Sequence, residues 1–428
     1  MSDGSSVGSA PASPSKTLLS HTALVAIALG IAQVSAYAVS VVSARALGPD
    51  GFGVLAALLG ILLIGSVLAM GIQAVAARRL VALDQTQRAG AGRSMVRDGL
   101  IGGLAVAAAT LAVSPLLVWL LRLDGWAALL LAALALIPLT WAGAQYGVAQ
   151  GRESYRRLAA IYAVVGLGRG LGGVAGALVT GSVVGTMAGL TAGTILGAIV
   201  GRFLVAPLVN ATPVRLESFF ADSAHATHAL LALFVLTNID VLLARALLDS
   251  EQAGIYGVGA VIAKVAFWLP QFVSVVAFPR FADARRLRAT VVSLAAVGGI
   301  GALVVVTTAL LPGIIVGFVG GSAYASLAPI AWMFAAIGAT FALAQALLLT
   351  RLAVDDRRAV IAIWGAAVIL VLLATLVLPS TVVGLATSAL LSGVVLACVG
   401  LVVAGKEILS QRPHGVPHTA TESSPPTD

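Results

Sequence analysis

Charged residues are scarce in this chain. Of its 428 residues, 10% are charged and 60% are hydrophobic, and the mean hydropathy is +1.05. Soluble globular domains carry about 25% charged residues, so this composition excludes a soluble fold and predicts a polytopic membrane protein. Aromatic residues are also few (6%), and the apolar runs are continuous rather than alternating. These features favour an all-α membrane protein over a β-barrel, whose strands alternate with a period of two.

The sequence also lacks the usual residues of an active site. Its single cysteine, Cys398, lies in an apolar run and excludes an internal disulfide or a CxxC metal site. The five histidines are scattered, and the chain carries no recognisable Ser/His/Asp set, carboxylate pair or P-loop. We therefore predict a protein that is not an enzyme and that has no cofactor and no metal site. Coupling of its activity to Na⁺ or H⁺ stays open.

Long apolar runs make up most of the chain. A helix that spans a bilayer needs about 20 apolar residues, and runs of this length predict about 12 transmembrane helices. The predicted spans are 18–42, 53–76, 99–121, 126–149, 158–180, 183–207, 226–246, 253–278, 290–311, 326–350, 359–378 and 381–404. The two ends, 1–17 and 406–428, are rich in small polar residues and proline, and we predict that they are disordered cytoplasmic tails.

The basic residues predict the orientation of these helices. With a cytoplasmic N-terminus, 19 of the 25 Lys and Arg residues fall in cytoplasmic segments, three fall outside and three lie within spans. This asymmetry supports the twelve-span count and predicts that both termini face the cytoplasm. We expect this multi-pass protein in the plasma (inner) membrane. The basic clusters then face anionic headgroups, so we expect membrane lipids as partners and no nucleic acid.

A repeat relates two parts of the chain. The string Ala-Arg-Ala-Leu at 44–47 recurs at 244–247. Each copy is followed by an acidic residue and a glycine-bearing string, Gly-Phe-Gly-Val at 51–54 and Gly-Ile-Tyr-Gly-Val at 254–258. Both copies follow the first of six spans, so the repeats are parallel and related by an axis along the membrane normal.

The parallel repeat predicts the domain organisation. An N-terminal six-helix bundle covers 18–208, and a C-terminal six-helix bundle covers 226–405. The segment 209–225 carries charged residues and a proline, and we predict that it is a cytoplasmic linker between the bundles.

The main candidates for a substrate site lie on the seventh and eighth spans. Lys264 is close to the predicted midplane, and Trp268 and Gln271 follow it on the same helical face. A charge at the bilayer centre costs at least about 2.5–3.5 kcal/mol, so it needs a partner or a function. We interpret this face as the lining of a central cavity in which the lysine binds an anionic substrate. The alternative is a structurally paired or snorkelling lysine.

Two more charged residues lie within spans. Asp240, with Asn238 beside it, is predicted to neutralise Lys264 or to line the same cavity, and titration coupled to protons or Na⁺ is the alternative. Arg169 lies in a glycine-rich string at 166–173 that permits close helix contact. This arginine is either a substrate contact or a member of a structural ion pair.

Polar residues of the first span and the repeated arginines complete the candidates. Gln33 and Tyr37 share one helical face, which either lines the cavity or makes interhelical hydrogen bonds. Arg45 and Arg245 either act at a gate or cap helix ends and bind lipid headgroups. Arg202, near the cytoplasmic end of the sixth span, is predicted to snorkel.

These features resemble the polysaccharide transporter (O-antigen flippase) family of the multidrug/oligosaccharidyl-lipid/polysaccharide (MOP) exporter superfamily. The similarity covers 18–405 and rests on the two six-span halves, the string Ala-Arg-Ala-Leu-Gly-Pro-Asp-Gly-Phe-Gly at 44–53, and Asp240 followed by Ala-Gly-Ile-Tyr-Gly-Val at 253–258. It implies a MATE-like, V-shaped pair of helix bundles around a cationic cavity. It also implies a flippase that moves a polyprenyl-(di)phosphate-linked glycan from the inner to the outer leaflet by alternating access, with a glycan polymerase or glycosyltransferases as partners.

Two other classes of function stay open. A cation-coupled multidrug (MATE-like) exporter would prefer an acidic cavity, whereas these spans offer one clear acid, Asp240, against the two midplane cations Lys264 and Arg169. A membrane scaffold for glycan assembly would transport nothing. The first two spans lack a midplane Lys or Arg, which leaves both monophosphate and diphosphate carriers open.

Overall fold

The computed structural model describes residues 15–214, 219–277, 286–352 and 357–410, and every regular element within them is a helix. The predicted tails before residue 15 and after residue 410, and residues 215–218 of the predicted linker, lie outside the described residues. The all-α class is confirmed. The α-helices are α1 Ser15–Gly65, α2 Val67–Ala82, α3 Gln85–Ala112, α4 Ser114–Leu120, α5 Ala127–Gly151, α6 Tyr155–Thr180, α7 Val183–Val205, α8 Phe219–Leu236, α9 Ile239–Leu247, α10 Ser250–Ala277, α11 Arg286–Leu310, α12 Pro312–Val319, α13 Ala331–Leu352, α14 Arg357–Leu372 and α15 Val382–Ser410.

Ten helices in the described part are long and apolar enough to cross a membrane, or eleven when Leu294–Leu310 and Pro312–Val319 are taken as one bent span. One of the ten is a stretch of 60 residues from Ala23 to Ala82, which comprises most of α1 together with α2. A straight helix of that length would measure about 90 Å, whereas the hydrocarbon core of a bilayer is about 30 Å thick. This stretch therefore has to cross more than once.

The packing partners show that the chain reverses within this stretch. The first arm of α1, before Gly48, runs parallel to α6. Helix α6 runs antiparallel to α7, and α7 runs parallel to α5. The second arm, continued by α2, also runs parallel to α5, so the two arms have opposite directions. The facing residues that fix these directions are Ala32 with Gly166 and Val39 with Gly173, Gly168 with Gly193 and Gly176 with Gly185, Leu131 with Thr191 and Gln145 with Gly201, and Ala69 with Gly143 and Ala77 with Gly151.

The reversal is at Gly48. Its φ of 66° lies in the left-handed region, which glycine adopts without the steric cost of a side chain. Pro49 follows and starts the second arm, where its missing N–H costs no helical hydrogen bond. When the two arms count as two crossings and the bent pair as one, the described helices give the twelve crossings that the apolar runs predict.

The two copies of the repeat pack against each other beside this turn. A side chain at Gly254 would overlap the carbonyl of Pro49, and one at Gly53 would meet the backbone of Gly254. Gly257 in turn faces the ring of Phe52. Glycine is therefore needed where the second arm of α1 and the start of α10 come into backbone contact.

The predicted linker and seventh span need correction. Helix α8 begins at Phe219, inside the segment predicted to be a linker, and it ends at Leu236 in the middle of the predicted span. At the break two side chains bond to the preceding turn: Thr237 Oγ1 donates to the Leu233 carbonyl, and Asn238 Nδ2 donates to the Phe234 carbonyl. Such local bonds compete with the regular helical pattern. The last helix, α15, also runs to Ser410, five residues past the predicted bundle boundary.

The third span of each half ends in a short helix. Helix α4 follows α3 and has Pro115 in its first turn, and α12 follows α11 with Pro312 as its first residue. The angle between α11 and α12 is 95°. At α12 the ring of Pro312 disfavours the α region for Leu311, whose φ of -124° and ψ of 43° mark the end of α11. The repeat therefore includes a proline-started terminal helix in both halves.

Helices α6 and α7 come into backbone contact through facing glycines. A side chain at Gly172 would overlap the Gly189 carbonyl, and one at Gly176 would overlap the Gly185 carbonyl. Small residues allow such backbone contact in a membrane, where packing rather than the hydrophobic effect holds helices together. The glycine surface predicted around Arg169 is confirmed.

We predict that Gly172→Ile destabilises the protein, because the added side chain forces α6 and α7 apart. Overpacking of a filled interior costs about 1–3 kcal/mol, occasionally more. The melting temperature in detergent should fall by several degrees. The matched control is Gly365→Ile on α14, where an added Cβ meets no atom within 4 Å. Equal melting temperatures for both variants would contradict the importance of this contact.

Candidate functional site

A cleft lies beside the break between α8 and α9. It encloses about 50 Å³, which is room for a few water molecules. Its walls come mainly from α8, α9, α10 and α13, and they are largely apolar and aromatic. The residues that line it are Leu63, Leu233, Phe234, Thr237, Asn238, Asp240, Ala260, Ala263, Lys264, Phe267, Trp268, Ile337, Gly338, Phe341 and Gln345. Four of the predicted substrate-binding residues therefore share one cleft.

Asp240 is held by a tyrosine that the sequence reasoning missed. The carboxyl group lies in the first turn of α9 and is 4% exposed. Tyr256, which is fully buried on α10, donates its hydroxyl to Asp240 Oδ2 at 2.9 Å. The tyrosine ring packs edge-on against Phe334, with ring centroids 5.1 Å apart. A buried carboxylate needs such a donor, because unpaired it would carry the full cost of leaving water.

Lys264 lies at the middle of α10, next to the rings of Phe267 and Trp268. The charge of Asp240 acts on its ammonium group, yet the two side chains do not form a direct ion pair. The ammonium has three N–H donors and no acceptor. It can therefore bind an anion in the cleft while Asp240 balances its charge from a distance.

Two side-chain amides add polar groups to the cleft. Asn238 donates to the Phe234 carbonyl at 2.9 Å, while its buried Oδ1 accepts no hydrogen bond from the described residues. Gln345 enters the lining from α13 and was not among the sequence candidates. Gln345 could have been found in the sequence as a single side-chain amide within an otherwise apolar span. Tyr256 was harder to predict from the sequence, because its position in the repeat string at 254–258 does not indicate a hydrogen bond to Asp240.

Arg169 lies in a different polar cluster, within the N-terminal half. Its guanidinium interacts electrostatically with Tyr146, whose ring stacks on that of Tyr162 with centroids 4.0 Å apart. Gln73 connects the cluster to α2 and donates to the Tyr162 hydroxyl at 2.7 Å and to Gln150 Oε1 at 3.1 Å. The structure therefore does not bring Arg169 into the cleft that contains Lys264.

Two of the remaining cavity candidates, Gln33 and Tyr37, are also outside the cleft lining. Tyr37 on α1 packs against the large apolar core, and Gln33 lies one turn before it. Gln271 belongs to α10, but its side chain is outside the described part of the chain. Among the residues that the structure describes, no three His, Cys, Asp or Glu side chains come together in a group that would hold a metal ion.

Arg45 and Arg245 lie at the end of the molecule that contains Gly48. Arg45 Nη2 donates to the carbonyls of Gly317 and Phe318 near the end of α12. Arg245 is 6% exposed and donates to the carbonyls of Leu121 and Arg122, just past the end of α4. Both arginines thus donate to backbone carbonyls at helix ends. The gate and headgroup interpretations stay predictions.

The fold and sequence of the chain resemble those of known membrane proteins. A sequence model of the family described as "Polysaccharide biosynthesis protein" matches residues 18–285. No curated protein matches the sequence significantly. Among solved structures, the lipid II flippase MurJ in an inward closed conformation aligns with a TM-score of 0.70 and 12% identity, covering 90% of this chain and 87% of that one.

Two transporters of the MOP superfamily are similar as well. An inward-facing multidrug resistance MATE family transporter aligns with a TM-score of 0.65 and 12% identity, covering 90% of this chain and 96% of that one. A MOP superfamily transporter from Pyrococcus furiosus aligns with a TM-score of 0.55 and 12% identity, covering 90% and 95%. At this identity the likeness shows the fold, which is that of the MOP superfamily. Because the family model covers well over half of its length, the chain belongs to the polysaccharide biosynthesis protein family.

Proposed function

We propose that this protein is a flippase for a polyprenyl-(di)phosphate-linked glycan, which it moves from the inner to the outer leaflet of the plasma membrane by alternating access. Membership of the polysaccharide biosynthesis family and the fold of MOP transporters support a transporter in glycan assembly. Both termini face the cytoplasm in this proposal, and a glycan polymerase or glycosyltransferases act on the same lipid-linked glycan.

The main support is the position of Lys264 in the cleft. A lipid-linked glycan carries a phosphate group that has to cross hydrocarbon, where an unpaired charge is unstable. Lys264 supplies a positive charge at the middle of α10 and is not neutralised by a direct ion pair. A charge-assisted hydrogen bond from its ammonium to a phosphate oxygen is stronger than a neutral one.

The aromatic walls of the cleft suit the rest of the substrate. Phe234, Phe267, Trp268 and Phe341 line it together with Lys264. Aromatic rings offer apolar faces to the C–H groups of a sugar or to the polyprenyl chain. The amides of Asn238 and Gln345 supply polar partners for sugar hydroxyls.

The described conformation is too narrow for such a substrate. A volume of about 50 Å³ holds a few waters, whereas binding sites for small molecules already measure about 300–1,000 Å³. The cleft therefore has to widen before a glycan enters. Movement of one half of the molecule relative to the other would widen it, because its walls come from both α1 and the helices of the second half.

Asp240 favours one second candidate, a cation-coupled multidrug exporter. The carboxyl group lies in the same cleft as Lys264 and within reach of any cation that enters it. The MATE family transporters share the fold. In that case Asp240 would attract an organic cation or bind the coupling ion. The nearby Lys264 ammonium would affect how readily Asp240 carries a negative charge.

We predict that Lys264→Ala lowers leaflet exchange of a fluorescent polyprenyl-phosphosugar at least about tenfold, since a hydrogen bond to a charged group is worth about 1.5–3 kcal/mol. Exchange is measured in vesicles by the loss of fluorescence to a quencher that does not cross the membrane. Lys264→Arg, which keeps the charge, should retain part of the activity.

The matched control for this substitution is Arg202→Ala. Arg202 lies away from Lys264, in a second cleft lined by Arg93 and Asn210. Its removal should leave exchange within about twofold of the unchanged protein, because no contact with the substrate is lost. Full activity of Lys264→Ala, with normal protein levels in the membrane, would show that the lysine has a structural role only.

We predict that Trp268→Ala lowers exchange of the glycosylated lipid by about two- to tenfold, since aromatic contacts are worth about 0.5–1.5 kcal/mol beyond their buried area. Exchange of the same polyprenyl phosphate without sugar should change much less. Trp268→Phe should restore most of the lost rate. Equal losses for both lipids would mean that the ring does not contact the sugar.

The exporter and the flippase make different predictions for Asp240→Asn. An exporter should take up a fluorescent organic cation under an imposed H⁺ or Na⁺ gradient and lose this uptake in the variant, which no longer carries a negative charge. A flippase should show no such uptake with either residue. Gradient-driven uptake of the dye, together with no leaflet exchange of any lipid-linked sugar, would replace the flippase proposal.

A further inference from the structure

The two repeated arginines make the same contact in opposite directions. Arg45 belongs to the first half and donates to the Gly317 and Phe318 carbonyls of the second half, at 3.1 and 2.6 Å. Arg245 belongs to the second half and donates to the Leu121 and Arg122 carbonyls of the first half, at 2.9 and 3.0 Å. Each arginine therefore binds the end of the third span of the other half.

The acceptors are well suited to a guanidinium group. The last carbonyls of a helix have no partner within the helix and carry the negative end of its dipole. Arginine has five N–H donors in a fixed plane and is always charged, so one side chain binds two successive carbonyls. Lysine offers a single point charge and would bind them less specifically.

A third arginine strengthens the contact on one side. Arg122 donates to the carbonyls of Ala246 at 2.9 Å and Leu248 at 3.3 Å, near the end of α9. Arg122 and Arg245 thus each bind the chain segment that carries the other. The φ of Arg122 is 48°, a left-handed conformation that a residue other than glycine keeps only where its surroundings hold it.

Apolar and backbone contacts surround these bonds. The Tyr324 hydroxyl donates to the Ala44 carbonyl at 3.0 Å, and its ring lies edge-on to Phe52. Gly254 lies directly against Pro49. The two halves are therefore in direct contact at the Gly48 end.

We propose that Arg45, Arg122 and Arg245 form a clasp that keeps the Gly48 end closed, and that this clasp opens when the cleft becomes accessible from that side. The bonds use backbone carbonyls rather than carboxylates as acceptors. When they break, water can solvate both groups and no carboxylate is left unpaired, so the closure is reversible. The inference concerns the transport cycle and holds for any substrate.

Labelling of a cysteine in the cleft tests the clasp. Cys398 is first replaced by serine, because it is exposed. Ala260→Cys then places a reporter thiol in the cleft lining, and Gly125→Cys, at the exposed Gly48 end, marks the side from which a membrane-impermeant maleimide arrives. In sealed vesicles or cells, the Gly125 thiol should react from that side and the Ala260 thiol should react slowly.

We expect the double variant Arg45→Ala/Arg245→Ala to raise the labelling rate of the Ala260 thiol from the Gly125 side at least about fivefold, because the open population increases. The matched control is Arg88→Ala. Arg88 also donates to two carbonyls at a helix end, those of Val81 and Leu83, but within its own half. The control should leave the labelling rate unchanged.

An unchanged rate in the double variant, with normal labelling of the Gly125 thiol, would overturn the clasp. If the double variant is not recovered from the membrane, Arg45→Ala and Arg245→Ala are measured singly, and each should raise the rate at least about twofold. Unchanged rates in both single variants would overturn it equally. No substrate is added in these measurements, so their outcome is independent of the flippase proposal.

Discussion

A charge inside a bilayer needs a polar partner within the protein, and the polar contacts of this structure follow from that constraint. Asp240 receives the Tyr256 hydroxyl, and Lys264 lies within the electrostatic range of Asp240. Arg245 donates to the backbone carbonyls of Leu121 and Arg122, just past the end of α4. Only 10% of the residues are charged, and loss of the polar partner of any buried charge would be costly. The positions of these few charges therefore indicate the candidate functional sites.

The same constraint explains why the repeat carries an arginine beside glycines. The glycines let α1 and α10 approach to backbone contact at Pro49 and Gly254. That approach brings the helix ends of one half within reach of the arginine of the other half. Neither feature would be sufficient alone. Without the close helix contact, the arginine would not reach the carbonyls of the other half. Without those carbonyls as acceptors, the arginine would have a buried charge with no hydrogen-bond partner.

The sequence predicts the helices better than their contacts. Hydropathy locates the twelve crossings because each one has to bury about 20 apolar residues, and the glycines around Arg169 predict close packing because only small residues allow it. The break at Asn238 is missed because an apolar run continues through it. The clasp acceptors could not be predicted, since Gly317 and Leu121 take part through backbone carbonyls that every residue has. The distance of Arg169 from the cleft depends on helix packing and likewise has no mark in the sequence.

Helix α10 joins the closed end to the candidate substrate site. Gly254 near its start contacts Pro49, and Lys264 follows ten residues later, which is about 15 Å along a helix axis. If this segment tilted as one unit, separation of Gly254 from Pro49 would also displace Lys264 and the wall that carries it. Pro270 lies beyond the lysine and interrupts the hydrogen-bond pattern of α10, which provides a place for such a tilt to start. In the proposed transport cycle, α10 would therefore couple opening of the Gly48 end to widening of the cleft, because the helix carries both Gly254 and Lys264.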